Sequence, residues 1–210
     1  MPPDRRPIAS RDTRLAARIA RALADRGVSP NRISQASMIF AALAGAAFWA
    51  SGAASGLLFG ALLILAALGC QLRLLCNLFD GMVAVEGRRG AADGPFWNEA
   101  PDRVADIVIL AGMGYGAGAP ALGWAAAALA VLTAYIRELG SAQGLPGDFR
   151  GPMAKPQRMA VATGAALLAI ILPELAGVPT LSMALWLIAA GTALTGLRRS
   201  THLIAALKQR

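Results

Sequence analysis

Four oxygen-bearing side chains stand at the edges of two strongly apolar runs, within the segment CNLFDGMVAVEGRRGAADGPFWNEAPDRVADIVIL that begins at Cys76. Asn77 and Asp80 are three residues apart, so a helix places them on one face. Asp102 and Asp106 are four apart and share a face in the same way. A carboxylate in or near hydrocarbon costs about 2.5 to 3.5 kcal/mol on insertion scales, so each of these needs a partner. Hard oxygen donors without thiolate or imidazole select a hard divalent cation, Mg2+ above all, which is commonly held by a few carboxylates together with substrate phosphates. The alternative reading of the same residues is ion pairing at helix ends, with Arg73, Arg88, Arg89 and Arg103 the nearest arginines in sequence.

The elements that must position these groups are membrane helices. Of the 210 residues, 56% are hydrophobic and 15% charged, and the mean hydropathy is positive, which places the chain with integral membrane proteins. Apolar runs near the bilayer-spanning length of about 20 residues predict six transmembrane helices, over 33–51, 57–85, 98–116, 122–139, 159–172 with its flanks, and 181–197. The second is too long to lie wholly in lipid, so its turns from Arg73 onward emerge or line a polar cavity. The short glycine-rich connection 86–97 makes the second and third helices an antiparallel pair whose polar faces can meet.

Charge placement sets the expected orientation. The turns 52–56, 117–123 and 174–180 carry no Lys or Arg, whereas Arg88, Arg89, Arg150, Lys155, Arg158, Arg198, Arg199, Lys208 and Arg210 fall with the N-terminus on the other face. Basic residues near span ends are retained in the cytoplasm, so both termini are expected there, in the inner (cytoplasmic) membrane. The net charge of +8 then reads as attraction to an anionic membrane surface, with no nucleic acid required.

Before the first span, residues 11–26 place Leu15, Ile19 and Leu23 at helical spacing beside a strip of Arg14, Arg18 and Arg21. This predicts an interfacial amphipathic helix and not a signal peptide, since no continuous apolar core is present. Val28-Ser29-Pro30-Asn31 is expected to break the chain before the first span, with Asn31 suited to start it. The organisation is therefore an N-terminal interfacial segment (1–30), a six-helix transmembrane domain (31–200) that carries the polar cluster, and a cytoplasmic tail (201–210), in an all-α integral membrane fold.

His202 is the only histidine, which removes a histidine-based metal site and a Ser-His-Asp triad. Cys70 and Cys76 read as small packing residues. Glycines 112, 114, 116 and 118 allow close helix approach, with packing as the first reading and a homodimer interface as the second.

The motif resembles that of the CDP-alcohol phosphatidyltransferases, D-x2-D-G-x2-A-R followed by G-x3-D-x3-D. This chain reads N-x2-D-G-x2-A-V, twelve further residues, then N-x3-D-x3-D, so Asp80, Gly81, Ala84, Asp102 and Asp106 agree in type and order. The resemblance implies a displacement at phosphorus. An alcohol attacks a CDP-linked lipid such as CDP-diacylglycerol, forming a phosphodiester of phospholipid biosynthesis and releasing CMP, with Mg2+ or Mn2+ neutralising the pyrophosphate. It further implies Asn77, Asp80 and Asp102 as metal ligands, with Asp106 either completing the sphere or taking the proton from the attacking hydroxyl. Gly81 and Ala84 keep the helix face open to the cytidine, and the step at Pro30 and Asn31 is similar to the family's nucleotide-contacting segment.

Three positions depart from the pattern: Asn77 replaces the first Asp, Val85 the Arg, and Asn98 the second Gly. Arg88 or Arg89, from the longer loop, is the expected substitute for the missing cation. Acceptor recognition is assigned to Arg137, Arg150, Lys155 and Arg158, with topology alone as the alternative reason for positive charge there; Arg137, within a helix end, is the first candidate, and if it points inward it suits an acceptor carrying phosphate, such as a polyol phosphate. Two other function classes remain open at this level. One is an inactive relative that binds a CDP-lipid or a partner, in keeping with Asn77 and Val85. The other is a small ion-coupled transporter, against which stand the clustering of the carboxylates at one membrane face and the lack of an inverted repeat.

Overall fold

The computed structural model describes residues 13–86 and 92–209. Among these residues seven helices follow one another: α1 (Arg14–Asp25), α2 (Pro30–Ser51), α3 (Gly56–Glu86), α4 (Gly94–Gly116), α5 (Pro120–Ala142), α6 (Lys155–Ile171) and α7 (Thr180–Lys208). A two-residue antiparallel ladder, β1 (Glu174–Leu175) with β2 (Val178–Pro179), turns the chain between α6 and α7. Four helices, α2, α3, α5 and α7, are long and apolar enough to cross a membrane. The architecture is all-α and of the multi-pass membrane type.

Helix α1 starts where the Thr13 hydroxyl accepts the Ala16 N–H at 3.3 Å, and ends at Gly27, whose φ of 75° only glycine adopts without strain. Its small face, Ala16 and Ala20, is buried, and Ala20 packs with Ile33 and Val83. Leu15 stays open, at 68% exposure, on the side away from the bundle. The boundary before α2 differs from the sequence expectation. Ser29, not Asn31, is the cap: its hydroxyl accepts the Arg32 N–H at 3.3 Å, and Pro30 is the first helical residue, where the N–H it lacks would have had no intrahelical partner.

Helices α2 to α7 close a ring in the spatial order α2, α3, α6, α7, α5, α4. Phe48, Leu63, Ile109, Met113, Met159, Leu185 and Ile188 fill its centre. The expected pairing of α3 with α4 is therefore only partly realised. Helix α2 packs along both of them, and α3 and α4 touch each other sparingly, at their polar ends. The reason lies in small residues. Gly45 of α2 and Gly112 of α4 face each other so closely that a Cβ on either would collide with backbone of the opposite helix. Gly114 and Gly116 are likewise spent inside the bundle, against Gly123 and the Phe48 carbonyl, while Gly118 turns the chain at φ 68°.

At 31 residues, α3 is about 46 Å long at 1.5 Å per residue, against a hydrocarbon core of about 30 Å. It is thus longer than the apolar layer by about three turns, and its last turns carry the polar motif.

Candidate functional site

Helical spacing builds the site from three directions. Arg73 and Asn77 lie one turn apart on α3, Asp102 and Asp106 one turn apart on α4, and Lys155 and Arg158 three residues apart on the first turn of α6. Each pair presents one face to a common polar region. Asn77 Nδ2 donates to Asp102 Oδ1 at 2.5 Å, joining α3 to α4. The Lys155 ammonium donates to Asp102 Oδ2. Arg73 Nη2 reaches the Asp102 carbonyl at 3.3 Å, Asp102 Oδ1 at 3.4 Å and Asp106 Oδ1 at 3.5 Å. Arg158 Nη2 donates to Asp106 Oδ2 at 2.5 Å, while its Nη1 bonds the Met153 carbonyl at 3.1 Å.

Arg73 has no exposed surface, and Asp106 and Arg158 are buried with it. A buried ion network of this kind persists only when its members are paired, since an isolated charge there costs several kcal/mol. The guanidinium groups keep donors in reserve: Arg73 Nε and Nη1 and Arg158 Nε have no hydrogen-bond partner among the described residues.

Asp80 is built differently. It is buried, its Oδ2 accepts from the Ser34 hydroxyl of α2 at 2.8 Å, and its Oδ1 accepts the Gly81 N–H at 2.5 Å. No basic side chain forms an ion pair with it among the described residues. The three carboxylates and the Asn77 amide make an all-oxygen donor set, the kind that suits Mg2+ or Mn2+. Among the described residues no three His, Cys, Asp or Glu side chains gather as they stand into a metal-holding group. Asp102 and Asp106 are instead turned toward basic side chains. The donors fit a hard divalent ion in kind, and protein cations already pair with two of the three carboxylates.

The four basic residues assigned to an acceptor separate into two groups. Lys155 and Arg158 sit on the carboxylates. Arg137 bonds Glu99 and Glu138, and its guanidinium lies 5.6 Å from the centroid of the Phe149 ring. Arg150 bonds Asp148 at 3.1 Å and approaches His202 at 2.6 Å. Arg137 and Arg150 line a cavity of about 470 Å³ between the end of α5, the loop after it and α7, together with Arg199 and His202. At the start of α2, Pro30 and Asn31 are partly buried, and Asn31 Nδ2 donates to Asp93 Oδ1 at 3.0 Å, which ties the α2 N-terminus to the segment leading into α4. Gly81 and Ala84 are half-buried on α3, beside Asp80 and one turn beyond it. Arg88 and Arg89 lie outside the described residues.

Compared with solved structures, the chain matches phosphatidylinositol phosphate synthase of Mycobacterium tuberculosis with CDP-DAG bound, at a TM-score of 0.73 and 20% identity over 91% of this chain and 94% of that one. The two proteins share a fold. The same synthase in complex with manganese and citrate gives a TM-score of 0.72 at 20% identity, covering 90% of this chain and 88% of that one, and its apo form gives 0.68. No protein-family model matches the sequence, and no curated relative is found for it.

Within this synthase-like fold, two contributors are absent from the motif reading. Arg73 enters the sequence reading only as a possible ion-pairing partner. Its signal is its place one turn before Asn77, hence on the same face. Ser34 comes from α2, and nothing in the spacing of α3 or α4 points to it.

Proposed function

We propose that the chain is a CDP-alcohol phosphatidyltransferase of phospholipid biosynthesis, which moves a phosphatidyl group from CDP-diacylglycerol to an alcohol and releases CMP. One observation carries the reading. Asn77 of α3 meets Asp102 of α4 beside the buried Asp80 and Asp106, in a fold shared with a synthase crystallised once with CDP-DAG and once with manganese.

In this reading Asn77, Asp80 and Asp102 hold Mg2+ or Mn2+, with Asp106 either completing the ligand set or serving as the base. When bound, the ion supplies positive charge to the pyrophosphate and its leaving group. The acceptor hydroxyl loses its proton to Asp106 or to water, its oxygen bonds to the β-phosphorus, and the bond from that phosphorus to the CMP oxygen breaks. Ser34 holds the Asp80 carboxylate in place through its 2.8 Å bond. Gly81 and Ala84 leave the α3 face low enough for a cytidine, with Pro30 and Asn31 at the α2 N-terminus beside it and Arg88 or Arg89 adding a cation. Arg137 and Arg150 line the cavity best suited to an anionic acceptor group, so a polyol phosphate fits better than a neutral alcohol.

The same reading places α2 to α7 as six spans in the inner membrane with both termini cytoplasmic. It lays α1 along the interface through Leu15 and Ile19, which are exposed at 68% and 38%. Residues 1–30, 31–200 and 201–210 are then the interfacial segment, the catalytic domain and the tail, and the enzyme works as a homodimer. A second reading, an inactive relative that binds a CDP-lipid without turnover, draws on Asn77 in place of a carboxylate and on the protein cations already seated on Asp102 and Asp106.

The test is CMP release by purified protein in detergent, with CDP-diacylglycerol and a panel of alcohols and alcohol phosphates. Release with one phosphorylated acceptor names the substrate. Binding of the CDP-lipid without release from any acceptor transfers the assignment to the inactive binder.

A further inference from the structure

The carboxylate cluster carries its own positive charge. Asp102 and Asp106 are faced by Arg73, Lys155 and Arg158, three cations on two carboxylates, while Asp80 has no ion-pair partner among the described residues. The three cations are not held alike. Arg73 is fully buried and Arg158 has a side chain 4% exposed; each makes contacts on more than one side, Arg73 to both Asp102 and Asp106 and Arg158 to Asp106 and the Met153 carbonyl. Lys155 begins α6, its side chain is 29% exposed, and among the described residues its single side-chain bond is to Asp102 Oδ2. It is also a compact ammonium on a flexible four-carbon stem, which can leave one oxygen for another without breaking a planar fork.

We propose that Lys155 is a built-in counter-ion that a divalent metal must displace from Asp102 before the site can be loaded. The proposal rests on the reading of Asp80 and Asp102 as metal ligands. Two cations on one carboxylate oxygen repel each other, so the ammonium and the metal exclude one another there. Asp80, which has no basic partner among the described residues, is where the ion first gains a ligand without such competition. The released ammonium, still tethered at the mouth of the site, is then free for an anionic phosphate. Asn77 fits the same scheme: with an amide in place of the family's first carboxylate, three protein cations suffice to neutralise the cluster.

The experiment is Mn2+ binding by the purified full chain in detergent, followed by electron paramagnetic resonance. Lys155→Met is expected to bind Mn2+ tighter on the order of 10- to 100-fold, the range over which neighbours of a metal ligand change its affinity. Lys155→Arg, which keeps the charge, stays near wild type. An independent readout uses the unmodified chain, whose two lysines are Lys155 and Lys208. Mn2+ should raise the acetylation of Lys155 by an amine-reactive ester relative to Lys208, read by mass spectrometry. Should Lys155→Met fail to fold, this ratio decides alone, and a ratio unchanged by Mn2+ overturns the proposal. Equal Mn2+ affinity in wild type and Lys155→Met, weakened in both by Asp80→Asn, overturns the displacement and leaves the metal site standing. Absence of Mn2+ binding in every variant overturns both.

Discussion

Asp80 and Asp106 are both buried carboxylates at the polar end of the same helix bundle, and they are compensated in opposite ways. Asp106 is held by two guanidinium groups, Arg73 at 3.5 Å and Arg158 at 2.5 Å. Among the described residues Asp80 has only a serine hydroxyl at 2.8 Å and the N–H of its own neighbour Gly81. A buried carboxylate locked between arginines also serves the scaffold, because removing it leaves Arg158 without an anion and takes one of the two that Arg73 contacts. One satisfied by a hydroxyl and an amide keeps its charge available to an incoming cation. The difference separates a carboxylate that also ties α3, α4 and α6 together, and is engaged by protein cations before any ion arrives, from one that is open from the start.

The largest expected effect breaks that contrast on the scaffold side. Asp106→Ala leaves Arg73 and Arg158 buried without their shared anion and should destabilise the folded protein by about 3 to 5 kcal/mol, seen as an early thermal transition in detergent. An unshifted transition would show that the two arginines are satisfied elsewhere. Asp80→Asn tests the other side. It keeps the shape and an acceptor for Ser34, so the melting temperature should hold within a few degrees while CMP release falls by roughly 100-fold or more. Matching losses of stability in the two variants would erase the distinction.

Asn77→Asp sharpens the comparison by restoring a charged donor beside Asp102. Mn2+ affinity should rise about tenfold, and unchanged affinity removes Asn77 from the ion's surroundings. The smallest effect concerns the element that carries Ser34. Ser29→Ala removes the cap of α2 and should cost about 1 kcal/mol with CMP release largely retained, measured by melting beside activity.

The contrast between the two carboxylates was half legible in the sequence. Spacing of three and four residues put Asn77 with Asp80 and Asp102 with Asp106, and it set the helices that carry them, because a 3.6-residue period is a property of the chain itself. The same logic, extended one turn backward, includes Arg73. What spacing does not encode is which helix lies against which. The interposition of α2 between α3 and α4 rests on Gly45 facing Gly112, a contact between residues far apart in sequence. Ser34 reaches Asp80 along the other seam of α2, where Gly69 of α3 lies against Phe40 and Ala44. Lys155 and Arg158 were legible as basic residues at a span end, where topology alone explains positive charge. Their seats on Asp102 and Asp106 depend on α6 packing beside α3. Arg150 reads the same way in sequence and Arg137 stands out only by its place within a helix end, yet both line a separate cavity between α5 and α7.

The central claim is that the cluster is a working metal-dependent transfer site with Asp80 as its open ligand. The most direct measurement is CMP release from CDP-diacylglycerol by wild type and Asp80→Asn, across the acceptor panel, with Mn2+ or Mg2+ and with a chelator. The account predicts release by the wild type that the chelator abolishes, readdition of the ion restores, and Asp80→Asn lacks. Release that is indifferent to the ion, or equal in the two proteins, would contradict it.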